Sequence, residues 1–161
     1  LLFAWTNTHL TMKKLILIPA LFCLFMLNVA STCSSDDDDN SNGNSPSTST
    51  VTDNTTSGTW RVTLFQEDGS NQTSNFNGYN FSINSNGTIV AVNGSTTKNG
   101  NWSTYSDSGS TKFDIVFLDS NGPFEEISED WRVLSSTASK LELKHVSGGD
   151  GSIDLLTFEK N

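Results

Sequence analysis

From Gly58 onward one pattern repeats: a short run of alternating apolar and polar residues, then a cluster of turn formers, about every 8 to 15 positions. A period of two places every second side chain on one face of a pleated strand, so such a chain buries one side of a sheet and wets the other. Trp60, Val62 and Leu64 alternate on a first strand, and Tyr79, Phe81 and Ile83 on a second. The segment Asn84-Ser85-Asn86-Gly87 follows, whose Asn-Gly pair suits a tight hairpin. A third strand is expected over residues 88–92, ended by Asn93-Gly94. Trp102 and Thr104 mark a fourth strand, and Phe113, Ile115 and Phe117 a fifth. Late strands are expected over 131–134, 141–145 and 153–159. The expectation is an all-β domain over residues 58–161.

One segment departs from this rhythm. Phe124, Ile127 and Trp131 stand at helical spacing behind Pro123, a residue preorganised for a first helical turn. A single short helix, or one helical turn, is expected to cap the domain. Glu125 and Glu126 near its start complement the helix dipole. About eight antiparallel strands in roughly 100 residues suit a closed up-and-down barrel, with a sandwich as the alternative.

Gly58-Thr59-Trp60 on the first strand resembles the Gly-x-Trp feature of lipocalin-like families. The closing Leu156-Thr157-Phe158-Glu159-Lys160 looks like the last strand of lipocalin-like lipoprotein domains. The resemblance implies a small barrel in which Trp60 closes one end. Those families carry an arginine over that tryptophan from the last strand, where this chain has only Lys160.

The front of the chain speaks of location. Met12-Lys13-Lys14 and the apolar run over residues 15–29 have the layout of a secretory signal, too short for a comfortable membrane span of about 20 residues. Residues 1–11 read as an over-extended start and 12–32 as the signal. Ala30-Ser31-Thr32-Cys33 resembles a bacterial lipobox, although Thr32 stands where a smaller residue is usual. The resemblance implies diacylglycerol on the Cys33 thiol, a covalent lipid being the one non-protein group expected. Each buried methylene of such an anchor adds about 0.8 kcal/mol of membrane attachment. Cys23 leaves with the signal, so a chain beginning at Cys33 has no second thiol for a disulfide or a cysteine metal site.

Asp36, Asp37, Asp38 and Asp39 follow the anchor. As a charge run they belong in a solvated tail. In position they resemble the acid-rich export signal of surface lipoproteins in gram-negative bacteria, which implies display on the cell exterior. From Asn40 to Ser57 the chain is nearly all Ser, Thr, Asn and Gly, too polar to offset its ordering entropy, so residues 33–57 are expected to form a disordered tether. As a flexible coil it would span roughly 25–30 Å. Without Lys13 and Lys14, seven basic residues face 18 acidic ones, a balance of −11. That charge excludes nucleic acid, whose phosphates need a cationic surface. It also leaves the acyl chains to supply the membrane attachment, with a monomer expected.

Chemistry is sparse. His145 shares a strand face with Leu141 and Leu143, at a barrel mouth or simply at a strand end. No Gly-x-Ser-x-Gly spacing marks a nucleophile, and no enzyme is expected. Asp150, Ser152 and Asp154 have the alternate spacing of a calcium loop, but the sixth-place glycine and distal glutamate are missing, so no metal is expected. Trp60, Trp102 and Trp131 suit core packing better than a sugar-stacking platform. The expected function is a surface-displayed binding module whose barrel holds a small apolar or amphipathic ligand. Phe81, Phe113, Phe117, Leu143 and His145 would line its cavity. The alternative is an interaction protein with a solid core. An esterase or glycosidase using His145 or the Glu125, Glu126, Glu129, Asp130 cluster ranks last.

Overall fold

Alternating apolar residues do become strands. The computed structural model describes residues 45–119, 121–149 and 151–161. Cys33 and Asp36 to Asp39 lie outside the described residues, as does Asp150. The strands are β1 (Trp60–Glu67), β2 (Ser70–Asn71), β3 (Asn80–Ile83), β4 (Thr88–Asn93), β5 (Thr96–Asp107), β6 (Ser110–Phe117), β7 (Asp130–Ser136), β8 (Lys140–Val146) and β9 (Ile153–Lys160). All pairings are antiparallel, running β1, β3, β4 and onward to β9, and β9 returns to pair with β1. Eight strands thus close into a barrel, with β2 as an extra strand folded back on the end of β1.

The interior is written in the alternation. Trp60, Phe81, Ile89, Phe113, Ile115, Trp131, Leu141, Leu156 and Phe158 are all fully buried. One predicted inward position is corrected. A bulge between Val62 and Leu64 shifts the β1–β9 register, so Leu64 is only half-buried and Phe65 takes the inward place. An extra residue on one strand reverses which side chains face in, and period-two reading cannot foresee it. At Gly100 the barrel wall leaves no room for a side chain. A Cβ there would lie 2.6 Å from the Val116 carbonyl oxygen and 3.0 Å from the Phe117 Cα.

Both ends are closed. The expected helical turn is α2 (Pro123–Glu126), with Pro123 in its first turn. Its Phe124 is buried between Phe117, Tyr79 and Phe76, at ring separations of 4.9, 5.0 and 5.5 Å. Ser128 pins this plug to the wall: its Oγ donates to the Phe124 carbonyl at 2.6 Å and accepts the Phe117 N–H at 2.9 Å. Trp131 donates its indole N–H to the Ile127 carbonyl at 3.0 Å.

The opposite end holds the main correction to the tether. Thr48–Thr55 is not coil but an eight-residue helix, α1, capped by the Ser47 hydroxyl on the Thr50 N–H. Its composition is as polar as it looked, and so short a helix is marginal by itself. Tertiary contacts supply the stability. Val51 and Thr55 are buried, and the Trp60 indole donates to the Thr55 carbonyl at 2.9 Å. Asn54 reaches the Ser136 carbonyl at 3.2 Å, and Thr111 donates to the Pro46 carbonyl at 2.5 Å. Trp60 therefore lies beneath α1. Lys160 stands over its ring with Nζ 5.1 Å from the centroid, a cation–π contact.

Candidate functional site

Four of the five expected ligand-lining residues, Phe81, Phe113, Phe117 and Leu143, belong to one packed apolar core. Phe81 lies 6.4 Å from Phe117, 6.1 Å from Phe124 and 5.3 Å from Phe158, ring to ring. Phe113 stacks on Trp102 at 5.2 Å. The solvent-accessible fractions of Phe81, Phe113, Phe117 and Leu143 are 0, 0, 4 and 1 %. A chamber with room for a ligand leaves accessible surface on its walls, and these four have almost none. The tryptophans behave as core too: Trp60, Trp102 and Trp131 are all buried, and Trp102 donates to the Asn84 carbonyl at 2.9 Å.

His145 stands apart from them. It comes at the inward-facing end of β8, opposite Asp154 on β9, with its ring edge-on to Trp131 at 5.9 Å. Its Nδ1 lies 3.6 Å from an Asp154 carboxylate oxygen, and its Nε2 lies 3.8 Å from both Glu129 and Asp130. Asp154 is itself held by the Asp68 N–H at 2.9 Å. Glu129, Asp130 and His145 offer ligand atoms within 4.8 Å of one another, a set that suits a divalent cation. Asp130 is already engaged, however, by the Lys112 ammonium at 2.9 Å. Of the cluster that included Glu125 and Glu126, only Glu129 and Asp130 reach His145. The other two belong to α2, where one Glu126 oxygen is buried with no hydrogen-bond partner among the described residues. Nearby, burial and the Glu126 and Asp154 carboxylates push the Glu67 carboxyl above its ordinary value. Beyond β8 the Ser147 N–H donates to the Ser152 carbonyl at 3.0 Å.

The outer wall beside this rim carries what the alternation did not disclose. The register sets Lys112 opposite Arg132, and Arg132 opposite Lys144, so three cations stand side by side across β6, β7 and β8. Lys112, Asp130, Arg132, Lys144, His145 and Val146 line a cleft of about 290 Å³. Tyr105 faces Lys112 across β5 and β6 and is 41 % exposed. Burial, then the Asp130 and Asp114 carboxylates, raises its hydroxyl above the usual tyrosine value, so it remains a proton donor at neutral pH. Burial, then Asp130, likewise raises the Asp114 carboxyl. Lys112, Arg132 and Lys144 are far apart in sequence, and only strand register brings them together.

No family model and no curated protein matches this sequence. Among solved structures, the chain is similar to the crystal structure of a DUF4847 family protein from Bacteroides vulgatus ATCC 8482. The identity is 16 % and the TM-score 0.45, over 66 % of this chain and 94 % of that one.

Proposed function

We propose that the chain is an acyl-anchored lipoprotein that displays a lipocalin-like barrel at the outer membrane surface as a non-enzymatic interaction module. It meets its partners at the rim and outer wall, not in an internal chamber. This is the solid-core alternative raised by the sequence. One observation carries it: Phe81, Phe113, Phe117 and Leu143, the side chains placed to line a cup, are almost fully buried in one apolar core, with Phe81 and Phe117 against Phe124 and Phe113 against Trp102. Anchoring through Cys33 and export through Asp36 to Asp39 rest on the sequence pattern.

Two measurements test the reading. A palmitate analogue fed to expressing cells is expected to label the protein, and Cys33→Ala to abolish the label. The purified protein, titrated with a fatty acid, is expected to show no saturable change in tryptophan fluorescence. Stoichiometric uptake that quenches the buried tryptophans would return the function to the barrel interior.

A further inference from the structure

We infer that the outer-wall cleft binds a phosphate-type oxyanion, clamped between the Arg132 guanidinium and the Lys144 ammonium. The first reason is an inventory of cations. Seven Lys and Arg side chains lie in residues 45–161. Arg61 pairs with Glu159, Lys98 with Asp119, Lys140 with Glu142 and Lys112 with Asp130, while Lys160 covers Trp60 and bonds Ser57. Arg132 and Lys144 alone among the seven have no ion pair or hydrogen bond to another side chain among the described residues. They are also direct cross-strand neighbours. Like charges placed opposite each other destabilise a sheet. This chain has 18 acidic residues with which to avoid that and leaves the pair unneutralised. A local arrangement that works against the fold marks a site where something else is accommodated.

The second reason is that the pair has a shaped surface around it. Both residues line the cleft of about 290 Å³, with Val146 forming an apolar side and His145 standing at the rim. A guanidinium offers a planar fork of donors matched to two oxygens of one oxyanion, and an ammonium adds a compact second charge. Two unpaired positive charges match a phosphate monoester, which carries close to two negative charges at pH 7. Asp130 also lines the cleft and opposes any anion, but the Lys112 ammonium sits on its carboxylate at 2.9 Å. A neutral ligand would leave both cations unpaired, and a cation would be repelled.

The inference deepens the outer-wall reading and is tested separately from it. The full-length protein in a neutral detergent is titrated with inorganic phosphate while its backbone amide signals are followed. Saturable shifts are expected at residues 132, 144 and 146, with acetate at least tenfold weaker. R132Q and K144Q are each expected to weaken phosphate about tenfold, and the double variant to lose it. K140Q, at a paired cation outside the cleft, is expected to bind as the parent does. Thermal melts confirm that each variant is folded. Flotation with phosphatidylcholine vesicles, with and without phosphatidic acid, then separates two sources. Capture only by phosphatidic acid, lost in the double variant, identifies a lipid headgroup, and phosphate binding without capture identifies a soluble ester. Equal shifts at Lys98, Lys140 and Lys160, or a double variant that binds phosphate normally, would overturn the inference. Failure of the solid-core reading appears elsewhere, as fatty-acid shifts at Phe81 and Phe117.

Discussion

Replacing Val51 with alanine asks whether α1 belongs to the fold or merely rests on it. Val51 is the helix's one apolar residue and is fully buried. Removing two methyl groups costs about 1.6 kcal/mol at roughly 0.8 per carbon. An unfilled hole would add about 24 cal/mol per Å³. Two effects work the other way. A helix at a barrel end settles more readily than a strand in its wall, and alanine is the better helix former by about 0.5 kcal/mol. The net expectation is a loss of about 1–2 kcal/mol. At about 4 °C per kcal/mol for a domain of this size, that lowers Tm by about 4–8 °C. Far-UV circular dichroism melts provide the measurement, with urea unfolding at an unchanged slope as the control for two-state behaviour. A Tm within 1 °C of the parent would refute the docking of α1.

The remaining predictions concern the wall, the plug and the rim. Gly100→Ala would force a Cβ to 2.6 Å from the Val116 carbonyl oxygen, where neither backbone can yield, and the variant is expected to lose more than about 3 kcal/mol or fail to fold, read by urea unfolding. Ser128→Ala strands the Phe117 N–H beside the α2 plug and is expected to cost about 1–3 kcal/mol in the same assay. Glu67→Gln is expected to stabilise the protein more at pH 7 than at pH 4. The folded-state pKa of Glu67 is raised above 4.5, so its contribution is fully present below 4.5 and is lost as pH rises through the raised value. Paired melts across that window check the sign, and an equal difference at both pH values would contradict it.

Burial is legible where it repeats. Trp60, Phe81, Ile83, Phe113, Ile115, Phe117, Leu141 and Leu143 all went inward as the period-two pattern required, because each strand is wetted on one face only. Phe124 and Ile127 were equally readable, since both are buried around α2, whereas Trp131 lies not on the helical turn but on β7, where it is also buried. Leu64 was misread because a bulge obeys local register and not periodicity. The segment forming α1 was misread for a different reason. Thr-Ser-Thr-Val-Thr-Asp-Asn-Thr carries almost no helical signal, and only Trp60, Ser136 and Thr111, which wait at the far end of the domain, make the helix worthwhile.

The candidate site was hidden for a reason that follows from the same physics. Inward residues announce themselves through apolarity, so the expected cup was assembled from Phe81, Phe113, Phe117 and Leu143, the residues the core needs for itself. Outward positions are polar on every strand, and a lysine there looks like any other solvated lysine. Lys112, Arg132 and Lys144 gain meaning only as neighbours, and their neighbourhood is set by the β6–β7 and β7–β8 registers. A further condition is the ledger of partners, since Lys112 is spoken for by Asp130 while the other two are not. For a barrel whose interior is occupied by its own rings, recognition has to be sought in such cross-strand groupings, and the informative residue is the charge that the fold itself leaves unanswered.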